Sequence, residues 1–519
     1  MSDLALPALR RPLRLRGSFL LKALAAVFIT LLADWLSQAG LYWGGPRSMG
    51  SVAGLLAAFS LALAVGLHPA VWRSRAALVA AGAGLVLAGL LAFDPGVIFV
   101  LLFLTALTLM PLLARFGRFD DAWRWFPRLT LSLLAGFLAP LLDLVSLLRV
   151  RRKRRRRSGL DLFGLAGLLV LPLAGTAVFL LLFANANPLI RGFLVRLDLR
   201  SFFGGLTPGR FAFWMVFGLM AWTVLRPMRL LALPLASVAA SPRALPGVSF
   251  GSVLISLVCF NLLFAVQNGL DLAFLWSCAP LPADVTLASY AHRGAYPLIA
   301  TALLAALFVL VTLRPGSAMA ASRPMRLLVF LWIAQNIFLV ASSILRTLDY
   351  VEAYSLTVLR LAAILWMGLV AVGLALICWR ILSGRSTAWL INANVLAALA
   401  LVGTATLVDP AALVAQWNVE HNREVAGSGA SLDIGYLRDL GAPALLPLIQ
   451  LQKKPVSVDL KMNLLLAIGE ISRQMEQGQA DWRSWTPRNA WRLAQAPPLT
   501  GLTVPLPDTP APLTDSIER

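Results

Sequence analysis

Residues 356–382 read LTVLRLAAILWMGLVAVGLALICWRIL. An α-helix rises about 1.5 Å per residue, so roughly 20 apolar residues cross the ~30 Å hydrocarbon layer of a bilayer. This stretch exceeds that length, with Arg360 and Arg380 near its two ends. Residues 388–408 repeat the pattern after a short linker. Upstream lie ten more apolar stretches: 19–43, 49–67, 76–93, 95–114, 128–148, 160–184, 211–226, 249–275, 294–313 and 325–345. Short linkers suit antiparallel neighbours in a bundle. The pattern predicts an all-α protein, a polytopic transmembrane helix bundle of 11 or 12 spans with a small C-terminal helical extramembrane domain.

Composition agrees. Of 519 residues, 59% are hydrophobic and 13% charged, and mean hydropathy is +0.79. Soluble domains carry about a quarter charged residues. A soluble or disordered chain is excluded. Lys+Arg 45 against Asp+Glu 24 gives a net charge of +21. In a soluble protein this would point to nucleic acid. Here the basic residues flank apolar stretches, so they are read as cytoplasmic loops obeying the positive-inside rule, with the lipid bilayer as partner and no nucleic acid.

The run Arg149-Val150-Arg151-Arg152-Lys153-Arg154-Arg155-Arg156-Arg157 is the strongest topological signal, and 149–159 is read as a cytoplasmic loop. Alternation from there puts 227–248, 314–326 and 383–387 inside, and 185–210, 276–293, 346–355 and everything after 408 outside. The basic N-terminus, 1–18, is read as cytoplasmic and retained. Five full spans from an inside N-terminus would place the polybasic run outside. The conflict vanishes if 128–148, with Pro140 and Asp143, re-enters or lies in the membrane plane. That gives eleven crossings; an outside N-terminus gives twelve. The domains are then 19–148 and 160–408 in the membrane, 409–496 as an extracytoplasmic helical domain, and a Pro-rich disordered tail at 497–519.

In 409–496, Asp409-Pro410 reads as a helix cap followed by Pro at the first position, and Thr486-Pro487 as another. Leu460, Leu464, Ile468, Ile471 and Met475 share one helical face. Trp482, Trp485 and Trp491 form either a small core or a membrane-surface anchor.

Polar residues inside spans carry most functional weight, because burying them in lipid is costly. Asn261, Gln267, Asn268 and Asp271 fall on one helix, Gln335 and Asn336 on another, and Asn392 and Asn394 on the last. Asp34 and Arg360 are isolated. Such residues hold helices together by hydrogen bonds or line a substrate path. His292 and Arg293 precede a span, with no second histidine or carboxylate beside them. Asn418, His421, Asn422 and Arg423 belong to the densest polar cluster, read as a helix face with salt links. Residues 187–203 read either as an amphipathic interfacial helix or as an ordinary ordered loop. Gly247-Val248-Ser249-Phe250-Gly251 matches the nucleophile-elbow pattern, but before a membrane helix Ser249 is an N-cap. Three scattered cysteines and three scattered histidines give no metal site, and no cofactor motif is present.

Several segments resemble an uncharacterised family of bacterial polytopic membrane proteins, domain of unknown function 4173 or the related 4153. They are Ala186 to Leu189, Gln267 to Leu272, Tyr290 to Gly294, Trp332 to Asn336, Asn418 to Arg423 and Leu432 to Leu437. The resemblance covers about residues 160–450; residues 1–150 contribute nothing to it. It implies a bacterial inner-membrane location and no activity. The favoured reading is a non-enzymatic membrane protein with a sensing, signalling or assembly role, with other membrane proteins as candidate partners. A solute transporter using the intramembrane amides and Asp271 comes second, and an envelope- or lipid-modifying enzyme using His292 and Arg293 third.

Overall fold

A computed structural model describes residues 17–37, 49–116, 119, 121–155, 175–176, 208–227, 249–276, 301, 304, 308, 322–427 and 429–496. The expected spans 160–184 and 294–313 lie mainly outside these residues, and the stretch 187–203, His292, Arg293, Arg156, Arg157 and the tail lie wholly outside them. The described residues are helical, without strands. Seven of their helices are long and apolar enough to cross a membrane, and two further apolar helices are shorter. Two compact units are present: Met1–Asp120, Arg124–Ala236 and Trp482–Ser484, and Asp121–Trp123, Ser237–Asp481 and Trp485–Arg519.

The first unit contains α1 (Gly17–Leu36), α2 (Val52–Leu67), α3 (Arg75–Phe93), α4 (Val97–Phe116), most of α5 (Ala122–Arg155) and α6 (Pro208–Leu225). Small residues let α2, α3 and α4 approach closely. The buried stripe of α3 is Ala77, Ala80, Gly84, Ala88 and Leu91. Asp34 of α1 is buried and accepts from Arg210 Nε of α6 at 3.0 and 2.9 Å, so each burial cost is met by an opposite charge.

Residues 128–148 lie within α5, which runs unbroken through Pro140 into the polybasic run as far as Arg155. A re-entrant hairpin needs a turn, and none interrupts this helix. The expected loop at 149–159 therefore begins as helix, because Arg and Lys are good helix formers and cations suit a helix C-terminus. Trp125 stacks on Phe119, just past α4, with centroids 5.7 Å apart. Asp143 pairs at 3.2 Å with Arg226, just past α6. These two helix ends are neighbours, since Arg115 Nη1 donates to Pro227 O at 2.8 Å. Residues 125 and 143 are about 27 Å apart along the helix axis. Both nevertheless sit at one end of the helix group, so α5 runs across that end.

The second unit contains α7 (Phe250–Asp271) with a π-helical turn at Leu272–Trp276, α8 (Arg323–Tyr354), α9 (Val358–Ser383) and α10 (Thr387–Val408). Ser249 caps α7 in a reciprocal box with Ser252, as its place before a membrane helix predicts. Helix α8 continues to Tyr354, through most of the stretch 346–355 expected as a loop. Five short helices and one long one follow: α11 (Pro410–Glu420), α12 (Arg423–Ala426), α13 (Ile434–Leu440), α14 (Leu445–Gln452), the long α15 (Val458–Ala480) and α16 (Pro487–Gln495). Asp409 and Thr486 cap α11 and α16, as their sequence pattern predicts. Leu464, Ile468, Ile471 and Met475 of α15 close on Leu437, Leu445 and Leu448 as one core, with Leu460 packed at its edge. Trp482, Trp485 and Trp491 are exposed, so they are not a core.

Candidate functional site

Helices α7 and α8 meet along a polar seam. Asn261 Nδ2 donates to Leu328 O at 3.1 Å, Asn268 Nδ2 to Gln335 O at 3.2 Å, and Trp276 Nε1 to Ser342 Oγ at 3.1 Å. Partners stand 67, 67 and 66 residues apart, so the helices run parallel in one fixed register. Gln335 Nε2 closes the first rung by donating to Asn261 Oδ1 at 2.8 Å. The π turn ending α7 aims Trp276 at α8, where it also stacks on Phe338. Sequence spacing identifies the seven-residue step between Asn261 and Asn268 but not the partner helix.

At the far end of the seam Asp271 and Arg346 form a buried ion pair, 1% and 6% exposed. Gln267 Nε2 steadies the carboxylate at 2.9 Å. Two charges in a low-dielectric seam are tolerable only together. Arg346 is the residue that sequence reasoning misses. It ends an apolar run, where a cation reads as an interfacial flank, and its partner lies 75 residues upstream. Asn336 is fully buried and back-bonds to Trp332 O at 2.7 Å, beside Gln335 but with its own backbone partner. Among the described residues, no hydrogen-bond donor reaches the buried side-chain oxygens Asn268 Oδ1, Gln335 Oε1 and Asn336 Oδ1 or the carboxylate Oδ2 of Asp271.

Beyond Arg346, α8 ends in a tight turn. Ser355 adopts φ 66°, and Thr357 caps α9. The Asn418 side chain grips this turn at both backbone groups of Leu356: its Oδ1 accepts from Leu356 N and its Nδ2 donates to Leu356 O, each at 2.8 Å. The Tyr436 hydroxyl accepts from Val358 N at 2.9 Å. Val351, Leu356 and Val414 bury the joint. Arg360 reaches back to Tyr354 O at 2.6 Å and lies over the Tyr350 ring.

The polar cluster 418–423 is thus two elements rather than one helix face. Helix α11 stops at Glu420, and Asn422 caps α12 by accepting from Val425 N at 3.0 Å. Its contacts are hydrogen bonds: Gln416 with Glu420, and Arg423 Nε to Gly429 O at 3.2 Å. His421 stacks on Trp417 with centroids 4.5 Å apart and stays exposed. Of the residues singled out by sequence, Asn261, Gln267, Asn268, Asp271 and Gln335 converge in the seam. Asn418 joins the end of α8 to the terminal helices. Asn422 serves a cap, while His421 and Arg423 lie apart from the seam.

No curated protein and no solved structure shows significant similarity to the chain. A family model does match, over residues 79–451, and so reaches from α3 through α14, well upstream of the resemblance seen in the sequence. The chain belongs to that family, a domain of unknown function, DUF4153.

Proposed function

We propose that this is a non-enzymatic multi-pass protein of a bacterial inner membrane with a sensing, signalling or assembly role, whose terminal helices form an extracytoplasmic domain coupled to the α7–α8 seam. The observation that carries the reading is the grip of Asn418 on Leu356. It joins the terminal helices to the end of α8, about 12 Å along the axis from Arg346. A ligand or partner that shifts α11 would pull on the helix that holds the buried ion pair.

Charge bias supports the orientation. Arg323 and Arg326 open α8 and Arg385 lies in the α9–α10 turn, while Asp349 and Glu352 mark the gripped end. In the first unit, α5 runs across the helix ends that carry Arg115 and Arg226, which supports a polybasic run on the same side as the N-terminus. Cysteine accessibility in a cysteine-free background tests both assignments. Cysteines at Asp120 and Arg155 should label from the cytoplasmic side, and one at Ala430 from outside. Labelling of Ala430 from the cytoplasm would overturn the outward-sensing role.

A transporter is the second reading, favoured by the four donor-free oxygens of Asn268, Asp271, Gln335 and Asn336 in the seam. Asp271→Asn and Asn268→Ala would then abolish movement of a solute. Folded variants with unchanged solute profiles in a deletion background would remove it.

A further inference from the structure

The first unit holds a half-open apolar cavity of about 190 Å³ between α1, α2, α3, α4 and α6. Ile29, Leu56, Phe103, Leu107, Phe217 and Leu225 give its character, and Ser60 supplies the one hydroxyl in the lining. An apolar cavity of about 150 Å³ admits a benzene ring. This one therefore accepts a length of hydrocarbon chain but not a whole lipid, whose headgroup would have to sit at one end.

The two ends differ in charge. At one, Arg210 is already paired in two-pronged fashion with Asp34. At the other, cations gather. Lys22 Nζ donates to the carbonyl of Leu225, a lining residue, at 2.8 Å and to His68 Nε2 at 3.1 Å. His68 Nδ1 donates to the carbonyl of Ala64, also a lining residue, at 2.8 Å, which leaves Nε2 free to accept and the ring neutral. Arg115 is bound to Pro227 O beside them. Arg226 meets Asp143 at 3.2 Å and stacks over Phe19 and Trp222, while its buried Nη1 has no acceptor among the described residues. This end thus gathers Lys22, Arg115 and Arg226, with the Asp143 carboxylate against Arg226. Phe19 and Trp222 meet edge to face beside these cations, with centroids 5.7 Å apart.

We propose that this unit binds one anionic phospholipid of the surrounding leaflet, with part of an acyl chain in the cavity and the phosphate against Lys22 and Arg226. A basic pocket between membrane helices suits such a headgroup. A zwitterionic lipid would bring its own cation into an excess of positive charge.

The test uses the full chain in detergent, supplied with equal phosphatidylglycerol and phosphatidylethanolamine and read by native mass spectrometry. One phosphatidylglycerol should be retained, and Lys22→Gln should lower its preference about fivefold. Ala221→Phe, which fills the cavity from its lining, should release lipid of both classes while Lys22 stays in place. Because a bulky residue there can unfold the helix group, spin-labelled phosphatidylglycerol on the unaltered protein gives an independent reading. An immobilised spectral component should be displaced by phosphatidylglycerol and not by phosphatidylethanolamine. Equal retention of both lipids, an unchanged preference in Lys22→Gln, or displacement by oleate as effective as by phosphatidylglycerol would each overturn the proposal.

Discussion

Helices α2, α3 and α4 hold together by close packing of small residues, whereas α7 and α8 add polar rungs to a core of larger apolar side chains. Both sets must associate where lipid tails are as apolar as leucine, so only van der Waals contact and hydrogen bonding distinguish a neighbour from solvent. The first set uses contact. A Cβ placed on Gly54 of α2 would collide with Ala88 O and the backbone N and Cβ of Ala92 in α3. The second uses bonds at a constant offset of 67 or 66 residues. Small residues let two helices slide or rotate slightly with a gradual loss of contact. Rungs fail together when the register moves, so the α7–α8 seam has a discrete arrangement that can be switched. Proximity is general in the first unit, and register is specific in the second.

The strongest way to break the comparison is to remove one charge from the seam. Asp271→Ala removes the carboxylate that faces the buried Arg346 and should cost about 3–5 kcal/mol in denaturant unfolding from micelles. Converting both Asp271 and Arg346 to Leu should recover most of that loss, since a well-packed apolar pair replaces a buried ion pair at little cost. If the single variant loses less than about 1 kcal/mol, the rungs do not set the register and the contrast with α2–α4 collapses.

The matching change in the first unit is Gly54→Leu. The atoms it meets are backbone, which cannot turn aside, so overpacking should cost about 1–3 kcal/mol and separate α2 from α3. Cysteine crosslinking between the two helices reads this directly. The seam in the second unit should be unaffected, and a simultaneous loss there would mean that the two packings are not independent.

The Asn418 grip comes next. Asn418→Ala strands the N–H and C=O of the buried Leu356, at about 1–3 kcal/mol per unsatisfied group. Amide exchange at Leu356 and Val358 should quicken before the core around Leu448 and Leu464 is touched. If exchange rises evenly over all of these, the joint and the domain open as one.

What the sequence makes legible follows the range of each interaction. Caps at Ser249, Asp409 and Thr486 act within three residues, and the stripe from Leu460 to Met475 repeats at helical spacing, so both are visible in a line of letters. Asn261, Gln267, Asn268 and Asp271 stand out because polar groups in an apolar run demand partners. The partners themselves are hidden: Gln335 is an amide whose bond lies 74 residues away, and Arg346 resembles any cation at a span's end. Asn418 reads as part of a charged helix face because no local signal says that a turn 62 residues earlier needs both its donor and its acceptor. For α5, charge alternation says that 128–148 is no ordinary span but leaves re-entrant and in-plane courses open. Its composition is that of a span, and only Trp125 and Asp143 reaching neighbouring helix ends reveal its direction.

The smallest effect sharpens the comparison most. Asn268→Ala removes one rung, and side-chain hydrogen bonds between membrane helices average about 0.6 kcal/mol. That is a small fraction of the loss expected at Asp271, so the variant should fold normally. Its value lies in what changes without unfolding. Asn268 also carries a buried oxygen with no donor, so Ala removes a desolvated acceptor along with the bond to Gln335 O. If the two contributions cancel, stability stays level while the register loosens, and crosslinks between cysteines on α7 and α8 should then spread to pairs one turn out of step. Unchanged crosslinks would place the register in the Asp271–Arg346 pair and the Asn261–Gln335 rung, leaving Asn268 free for a ligand.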